Sequence, residues 1–291
     1  MEVIFGRYIS DWKLKRIIKW EIKNKGGSFG MENVKVSKNQ ERLGQTIMQN
    51  CGEVASIVEY VDSQNITVQF KATSEVVKTS YEHFVKGKVK SHLTPTVYGV
   101  GITGLEPTRD KNGEQLDSYM CWINMLSRCY SSKYQEKRPT YKGCYVSEGW
   151  LYYHNFKNWY DDNYYEIDGK TSQLDKDVLI KGNKIYSPNT CVFVPNFINK
   201  LFTKRQNRRG AFPVGVYYDK TNKKYKAQLS IFKDGKSVVK NLGYYNTPND
   251  AFEVYKQAKE EYIKEIADEY KDKIPAKLYE AMYTYEVSID D

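Results

Sequence analysis

The stretch that decides the fold of the C-terminal region is PVGVYYDKTNKKYKAQLSIFKDGKSVVKNLGYYNTPNDAFEVY, residues 213–255. Its β-branched and aromatic residues, separated by turn residues, predict three strands, at 214–219, 225–232 and 236–245. Asp234-Gly235 suits the positive φ angles of a tight hairpin turn. Thr247-Pro248 then begins a helix, with a hydroxyl cap and a proline in the first turn. The stretch therefore predicts a three-stranded antiparallel sheet covered by one helix.

Positive charge is concentrated in the same region. The 291-residue chain has a formal net charge of +9, and residues 201–250 contain eleven Lys or Arg against three Asp, a net of +8. Lys226 and Gln228 alternate with Ala227 and Leu229, so a strand would turn the polar pair away from the helix. Cations on such a face neutralise phosphates and release counterions. We predict that the sheet binds double-stranded DNA in the major groove, through Arg208, Arg209, Lys220, Lys223, Lys224, Lys226, Gln228, Lys233 and Lys240.

Ordered landmarks in this region resemble the APETALA/ethylene-response-factor DNA-binding domain. They are Gly215-Val216-Tyr217-Tyr218, Tyr225-Lys226-Ala227-Gln228-Leu229, Leu242-Gly243-Tyr244-Tyr245, Thr247-Pro248-Asn249-Asp250-Ala251 and Tyr255. The resemblance implies a domain at 208–275 that contacts DNA with its sheet. Tyr and Lys mostly stand where the plant members carry Trp and Arg, so it implies phosphate binding and leaves base specificity open. The alternative use of such a unit is contact with another protein.

A second region, residues 117–202, resembles phage-type HNH (ββα-metal) endonucleases. The matching residues are Trp122, Met125-Leu126, Arg128-Cys129-Tyr130, Phe156, Trp159, 174–179 (LDKDVL), 182–195 (GNKIYSPNTCVFVP) and Ile198-Asn199. The resemblance implies that Asp175 and Asn199 hold one divalent cation such as Mg²⁺, and that the catalytic positions are Asp175, Lys176 and Asn199. Lys176 stands where the family has its histidine, and Thr190 where a turn-ordering Asn is usual.

The missing histidine leaves two functions open. A lysine is a poor general base near neutral pH unless its pKa falls strongly. The chain is therefore either a phage or prophage DNA-binding protein of the HNH homing-endonuclease type that cleaves DNA with a divalent metal, or a catalytically inactive descendant. Such a descendant would regulate DNA, or act as an oligomeric phage inhibitor of a host defence protein (anti-defence). The expected partners are double-stranded DNA, a host protein target and further copies of the chain.

Cysteine usage and hydropathy indicate the compartment. The five cysteines, an odd number, include no CxxC pair, so neither a disulfide framework nor a zinc site is expected. No apolar run reaches the length of a membrane span. We expect no membrane partner and a location in the cytoplasm of a bacterial host cell.

The sequence predicts an α+β, multi-domain chain: a small β-barrel-like domain, a degenerate HNH-like ββα unit, and a three-stranded antiparallel sheet plus helix. A basic N-terminal arm (1–30) precedes the small β domain (31–100), whose strands are expected at 54–61, 66–70 and 76–84. The arm is either a DNA or protein contact or a solvated helix. A Gly-rich linker (101–116) leads to the HNH-like domain (117–202), then the sheet domain (208–275) and a tail (276–291).

Overall fold

The computed structural model describes residues 41–203, 212–233 and 236–289, and its helices and strands form several small sheets flanked by helices. This is the α+β, multi-domain architecture that the sequence predicts. The predicted arm at 1–30 lies outside the described residues. No helix in the described ranges combines the length and apolar character needed to cross a membrane.

The first unit is an open antiparallel sheet. Its strands follow chain order, with each paired only to its sequence neighbours: β1 (Thr46–Met48), β2 (Val54–Tyr60), β3 (Ile66–Phe70) and β4 (Val76–Thr79). Since β1 and β4 do not pair, the predicted barrel-like closure is absent from the described part of this unit. The strand predicted to reach Phe84 also ends early, because the Ser80 hydroxyl accepts a hydrogen bond from the His83 amide and caps helix α1 (Tyr81–Val85).

Residues 101–116 pack against the central unit instead of forming a free linker. Ile102 exchanges backbone hydrogen bonds with Leu151 and Tyr153, at 2.8 and 2.9 Å. A Cβ added to Gly101 would lie 2.5 Å from Leu126 Cδ1 and 2.9 Å from the Trp122 ring. Gly101, although typical of a linker in composition, therefore permits a close approach of the backbone to the core.

The central unit surrounds an aromatic core. Its helices are α2 (Asp117–Tyr130), α3 (Ser132–Lys137), a 3-10 turn (Pro139–Tyr141), α4 (Glu148–Leu151), α5 (Tyr153–Asn163) and α6 (Asn196–Phe202). Its strands form two pairs: β5 (Tyr145–Val146) runs parallel to β7 (Ile185–Tyr186), and β6 (Ser172–Asp175) runs antiparallel to β8 (Val192–Pro195). Helix α2 buries one apolar face, on which Trp122, Met125 and Leu126 are at most 1 % exposed.

The third unit has the predicted βββα order. Strands β9 (Val216–Asp219), β10 (Lys224–Lys233) and β11 (Lys236–Tyr245) form an antiparallel sheet with β10 in the centre. Helix α7 (Pro248–Glu269) begins as predicted, with the Thr247 hydroxyl accepting a hydrogen bond from the Asp250 amide. The first half of α7 covers the sheet through Ala251, Phe252 and Tyr255.

The C-terminal helices also complete the core of the central unit. Ile263 and Ala267 on α7, and Leu278 and Met282 on α8 (Ala276–Tyr283), are fully buried in one cluster with Val192, Val194 and Ile198. The predicted tail is therefore a packed helix. Residues 117–202 and 212–289 share a core, so the predicted domain boundary separates segments of chain rather than independent folding units.

Candidate nucleic-acid interface

The sheet of the third unit has two chemically different faces. On β10, Ala227 and Leu229 are 0 % and 3 % exposed beneath α7. Lys226, Gln228 and Ser230 alternate with them and lie on the opposite, outer face. The predicted separation of polar from apolar residues along β10 is confirmed.

A β-bulge decides which residues of β11 share that outer face. Ala227 pairs with Gly243, but the next residue, Gln228, pairs with Asn241, so Leu242 is the extra residue of β11. An extra residue reverses the alternation beyond it. Without the bulge Lys240 would oppose Ser230 on the outer face, whereas with it Lys240 opposes Leu229.

The nine residues predicted to bind DNA are therefore distributed over different places. Lys224, Lys226 and Gln228 lie on the outer face, and Lys220 and Lys223 are exposed in the turn between β9 and β10. Lys240 is exposed on the helix side of the sheet, so its predicted position on the DNA-binding face is wrong. Arg208, Arg209 and the side chain of Lys233 lie outside the described residues.

Three exposed aromatic rings share the outer face with these lysines. Tyr217 is 58 % exposed, Phe232 55 % and Tyr244 39 %. Tyr217 and Tyr244 both pair with Lys226, one from each neighbouring strand, and the Lys226 ammonium lies 5.8 Å from the Tyr244 ring centre. The sequence reasoning missed these rings. Alternation along β10 could have identified Phe232, but placing Tyr217 and Tyr244 requires the register between strands.

The turn between β9 and β10 is held by Asp219. Its carboxylate accepts hydrogen bonds from the backbone amides of Asn222 and Thr221 and from the Asn222 side chain, at 2.9 to 3.1 Å. The bonds from Asn222 hold the pKa of Asp219 below its ordinary value. Lys223 adopts a φ of 51°, in the left-handed region. This turn presents Lys220, Lys223 and Lys224 together at one end of the outer face.

In the central unit, strand β6, strand β8 and helix α6 provide the ββα order that the HNH resemblance implies. Asp175 is the last residue of β6, and its Oδ1 accepts the backbone N–H groups of Asp177 and Val178, at 2.7 and 2.8 Å. These bonds turn the chain and end the strand at Asp175. Burial raises the pKa of the Asp175 carboxyl despite these bonds.

Lys176 is an ion-paired and buried side chain. Its Nζ donates to both carboxylate oxygens of Asp177, at 2.8 and 2.7 Å, and to the carbonyl of Asn183 at 2.6 Å. The residue is only 6 % exposed. An ammonium group has three protons and no lone pair, and all three protons have acceptors here. Lys176 therefore holds the loop between β6 and β7 in place and is not positioned to act as a general base.

Asn199 lies on α6 and its side-chain amide donates to Gln173 Oε1 at 3.1 Å. Gln173 precedes Asp175 by two residues on β6, which places it about 7 Å away along the strand. The structure therefore brings Asn199 to Gln173 and shows no hydrogen bond from it to Asp175. Among the described residues there is no group of three or more His, Cys, Asp or Glu side chains that could hold a metal ion. Asp175 and Asn199 alone provide too few oxygen ligands to complete the coordination of the predicted divalent cation, so several water molecules would have to supply the remaining ligands.

The three histidines lie elsewhere. His83 belongs to α1 of the first sheet unit. His92 Nδ1 lies 2.7 Å from Glu75 Oε1, and His154 Nδ1 lies 2.9 Å from Glu106 Oε1. Within the described ranges, no histidine bonds to Asp175, Lys176 or Asn199, so none is positioned to act as the histidine that the HNH resemblance would require.

Arg128, quoted only as part of the resemblance, is a further cation beside this loop. The guanidinium donates to the Tyr186 hydroxyl at 3.5 Å and lies 5.7 Å from the Tyr141 ring centre. The pKa of Arg128 is raised by Tyr186 and Tyr141, although burial acts in the opposite direction. No carboxylate partner is found for it among the described residues. The guanidinium is half-buried, and its partners there are a hydroxyl group and aromatic rings.

Two resemblances were suggested by the residues, one to phage-type HNH endonucleases and one to the APETALA/ethylene-response-factor domain. The order of strands and helices described above agrees with both, but such short βββα and ββα orders are shared by many unrelated proteins. Both resemblances stay predictions. Comparison of the chain with family models, with curated proteins and with solved structures found no match.

Proposed function

We propose that this protein binds double-stranded DNA through the outer face of its C-terminal sheet and that its HNH-like unit does not cleave the DNA. The observation that carries the binding proposal is the grouping of Lys220, Lys223, Lys224 and Lys226 at one end of a solvent-exposed sheet face. The helix α7 covers the opposite face. A twisted sheet with one free cationic face is suited to contacting phosphates across a groove.

The exposed rings favour nucleic acid as the partner of this face. Tyr217, Tyr244 and Phe232 lie beside lysines and amides, whereas a protein-binding face is generally depleted of lysine at its centre. Tyrosine hydroxyls donate to phosphate oxygens, and aromatic rings stack on unpaired bases. Single-stranded nucleic acid is accordingly the second candidate ligand, and the exposed rings are the observation that favours it.

The proposed absence of cleavage rests on the bonds made by the three predicted catalytic residues. Hydrolysis of a phosphodiester requires an activated water and stabilisation of the developing charge. The Lys176 ammonium donates hydrogen bonds to the Asp177 carboxylate and to the Asn183 carbonyl. The Asp175 carboxylate caps a turn, and the Asn199 side-chain amide donates a hydrogen bond to Gln173. We infer that this unit positions DNA, with Arg128 as the cation that meets a phosphate.

Fluorescence anisotropy with matched labelled duplex and single-stranded oligonucleotides, over a series of salt concentrations, tests the binding proposal. We expect the duplex to bind more tightly and its affinity to fall steeply with salt, because each neutralised phosphate contributes a slope of about 0.9 in log K against log salt. A duplex affinity that is independent of salt contradicts the proposal. Tighter binding of the single strand supports the second candidate.

Incubation of the same protein with supercoiled plasmid and Mg²⁺ or Mn²⁺ tests the second half of the proposal. We expect no nicked or linear product. Cleavage that is abolished in Asp175→Ala would contradict the inactive assignment and restore the endonuclease hypothesis. Cleavage that persists in Asp175→Ala indicates a contaminating nuclease, and further purification must then remove it for the proposal to stand.

A further inference from the structure

A groove of about 580 Å³ separates the third unit from helix α6. Its walls are mostly aromatic and aliphatic, and they are formed by Phe197, Phe202, Phe212, Leu229, Tyr255 and Tyr285, among others. Small-molecule sites typically occupy 300–1,000 Å³ and combine apolar walls with a few polar groups. The size and lining of this groove therefore fit a ligand of small-molecule dimensions.

Lys259 is the less exposed of the two lysines that line the groove. It lies on α7 one turn after Tyr255, so both side chains point to the same side of the helix, towards the sheet. Tyr255 is 9 % exposed there. An apolar side chain would be the ordinary choice at such a position, since a buried ammonium is costly without a partner.

The ammonium of Lys259 has no hydrogen-bond acceptor and no carboxylate among the described residues. Burial alone, with no opposing charge, lowers the pKa of Lys259 to about 8. Lys200 is the other lysine that lines the groove, and it is exposed at its edge. The described lining of the groove thus carries two lysines and no acidic side chain.

We propose that this groove is a binding site for an aromatic carboxylate, whose ring packs between the aromatic walls and whose carboxylate pairs with Lys259. The carboxylate supplies the acceptor that the ammonium lacks, in a low-dielectric setting where such a pair is strong. Flat aromatic rings fit walls made of Phe and Tyr side chains, which favour offset-stacked and edge-to-face contacts. The groove borders the outer sheet face at Tyr217, Gln228, Ser230 and Phe232, but Lys259 lies on helix α7 beneath the sheet, and the loop that follows β6 does not line the groove.

Isothermal titration calorimetry of the full chain with 2-naphthoate and with its neutral isostere 2-naphthamide tests this site. We expect the carboxylate to bind at least about tenfold more tightly than the amide, because it gains one charge-assisted hydrogen bond from Lys259. In Lys259→Met the preference should disappear while the amide binds as before. Methionine keeps an unbranched side chain as far as Cε and removes the ammonium group, so loss of the groove itself is not expected.

The matched control is Lys256→Met on the same helix, because Lys256 is not among the residues that line the groove. It should bind both ligands as the wild type does. Circular dichroism confirms that each variant is folded. The proposal is overturned by a wild type that binds neither ligand, by equal affinity of the wild type for both, or by a preference for the carboxylate that survives in Lys259→Met.

Discussion

Lys240 lies directly opposite Leu229 across the β10–β11 ladder, and Leu229 is buried beneath helix α7. The lysine is therefore directed to the helix side of the sheet, although simple alternation from Tyr244 places it on the outer face. The cause is the extra residue Leu242, which shifts the register between Ala227 and Gln228. The same shift carries Asn241 to the outer face, next to Gln228.

This register predicts an asymmetric pair of substitutions. Asn241→Lys adds a cation to the outer face and should increase duplex affinity, with a salt slope steeper by about 0.9. The same charge change on the other face, Val238→Lys opposite Ile231, is the control and should leave the slope unchanged. Anisotropy titrations at several salt concentrations measure both. Equal effects of the two lysines would mean that the face is not what the DNA recognises.

Asp175 should contribute to stability through the turn it caps. Asp175→Ala removes the acceptor for two backbone amides and should lower the free energy of unfolding by about 1–2 kcal/mol. Asp175→Asn keeps a side-chain carbonyl for those amides and should lose less. Urea unfolding at neutral pH compares the two variants. A smaller loss in Asp175→Ala than in Asp175→Asn would show that the two hydrogen bonds do not support the fold.

The raised pKa of Asp175 also predicts a pH dependence. The folded state holds this proton more tightly than the unfolded state, whose carboxyl titrates near its ordinary value of 3.8. The part of the stability that comes from this bound proton is thus complete below that value and is lost as the pH rises through the folded pKa, while the two backbone hydrogen bonds to the carboxylate remain. Relative to Asp175→Asn, the wild type should become less stable over this window. A difference that is constant with pH would contradict the assignment.

Gly101 should be sensitive to a single added methyl group. Gly101→Ala places a Cβ within 3 Å of Leu126 and Trp122, and overpacking of this kind costs about 1–3 kcal/mol. The control is Gly149→Ala in α4, where an added Cβ meets no atom within 4 Å. Thermal unfolding should give a lower melting temperature for Gly101→Ala than for Gly149→Ala. Equal melting temperatures would mean that residues 101–116 are a loose linker after all.

Lys259→Met should stabilise the protein at neutral pH, because it removes a buried ammonium without a partner. The folded pKa of about 8 lies below the ordinary value of 10.5, so wild-type stability rises as the pH increases from 8 towards 10.5. The advantage of the methionine variant should be largest at pH 7 and smaller at pH 9.5. The other titratable groups of the groove (Lys200, Tyr217, Tyr255 and Tyr285) are the same in both proteins. An advantage that grows with pH would contradict this account.

Local patterns in the sequence predict the elements well and their mutual positions poorly. Thr247-Pro248 defines the start of α7, and the alternation of Lys226 with Ala227 defines the faces of β10, because both signals act between near neighbours. The bulge at Leu242 has no comparable local signal, so Lys240 was assigned to the wrong face. The packing of Ile263 against Val192 depends on contacts distant in sequence, which is why a domain boundary was expected where the core is continuous.

The candidate site shows the same division. The sequence identifies Asp175, Lys176 and Asn199 as a set, yet it does not show which partners they choose. Asp177 and Asn183 accept hydrogen bonds from the Lys176 ammonium, and Gln173 accepts one from the Asn199 side-chain amide. These partners lie on the loop after β6 and on the strand itself. Only the folded geometry distinguishes a base that is ready to act from a lysine that supports a loop.

The most direct test of the proposed interface compares two double variants with the same change in charge. Lys224→Gln/Lys226→Gln removes cations from the outer face or its end, and Lys236→Gln/Lys240→Gln removes cations from positions paired with Lys233 and with the buried Leu229. Duplex affinity is measured against salt for both. We predict that the first variant loses affinity and about 1.8 of the log–log salt slope, while the second binds as the wild type does. Equal losses in both variants would contradict recognition by the outer face.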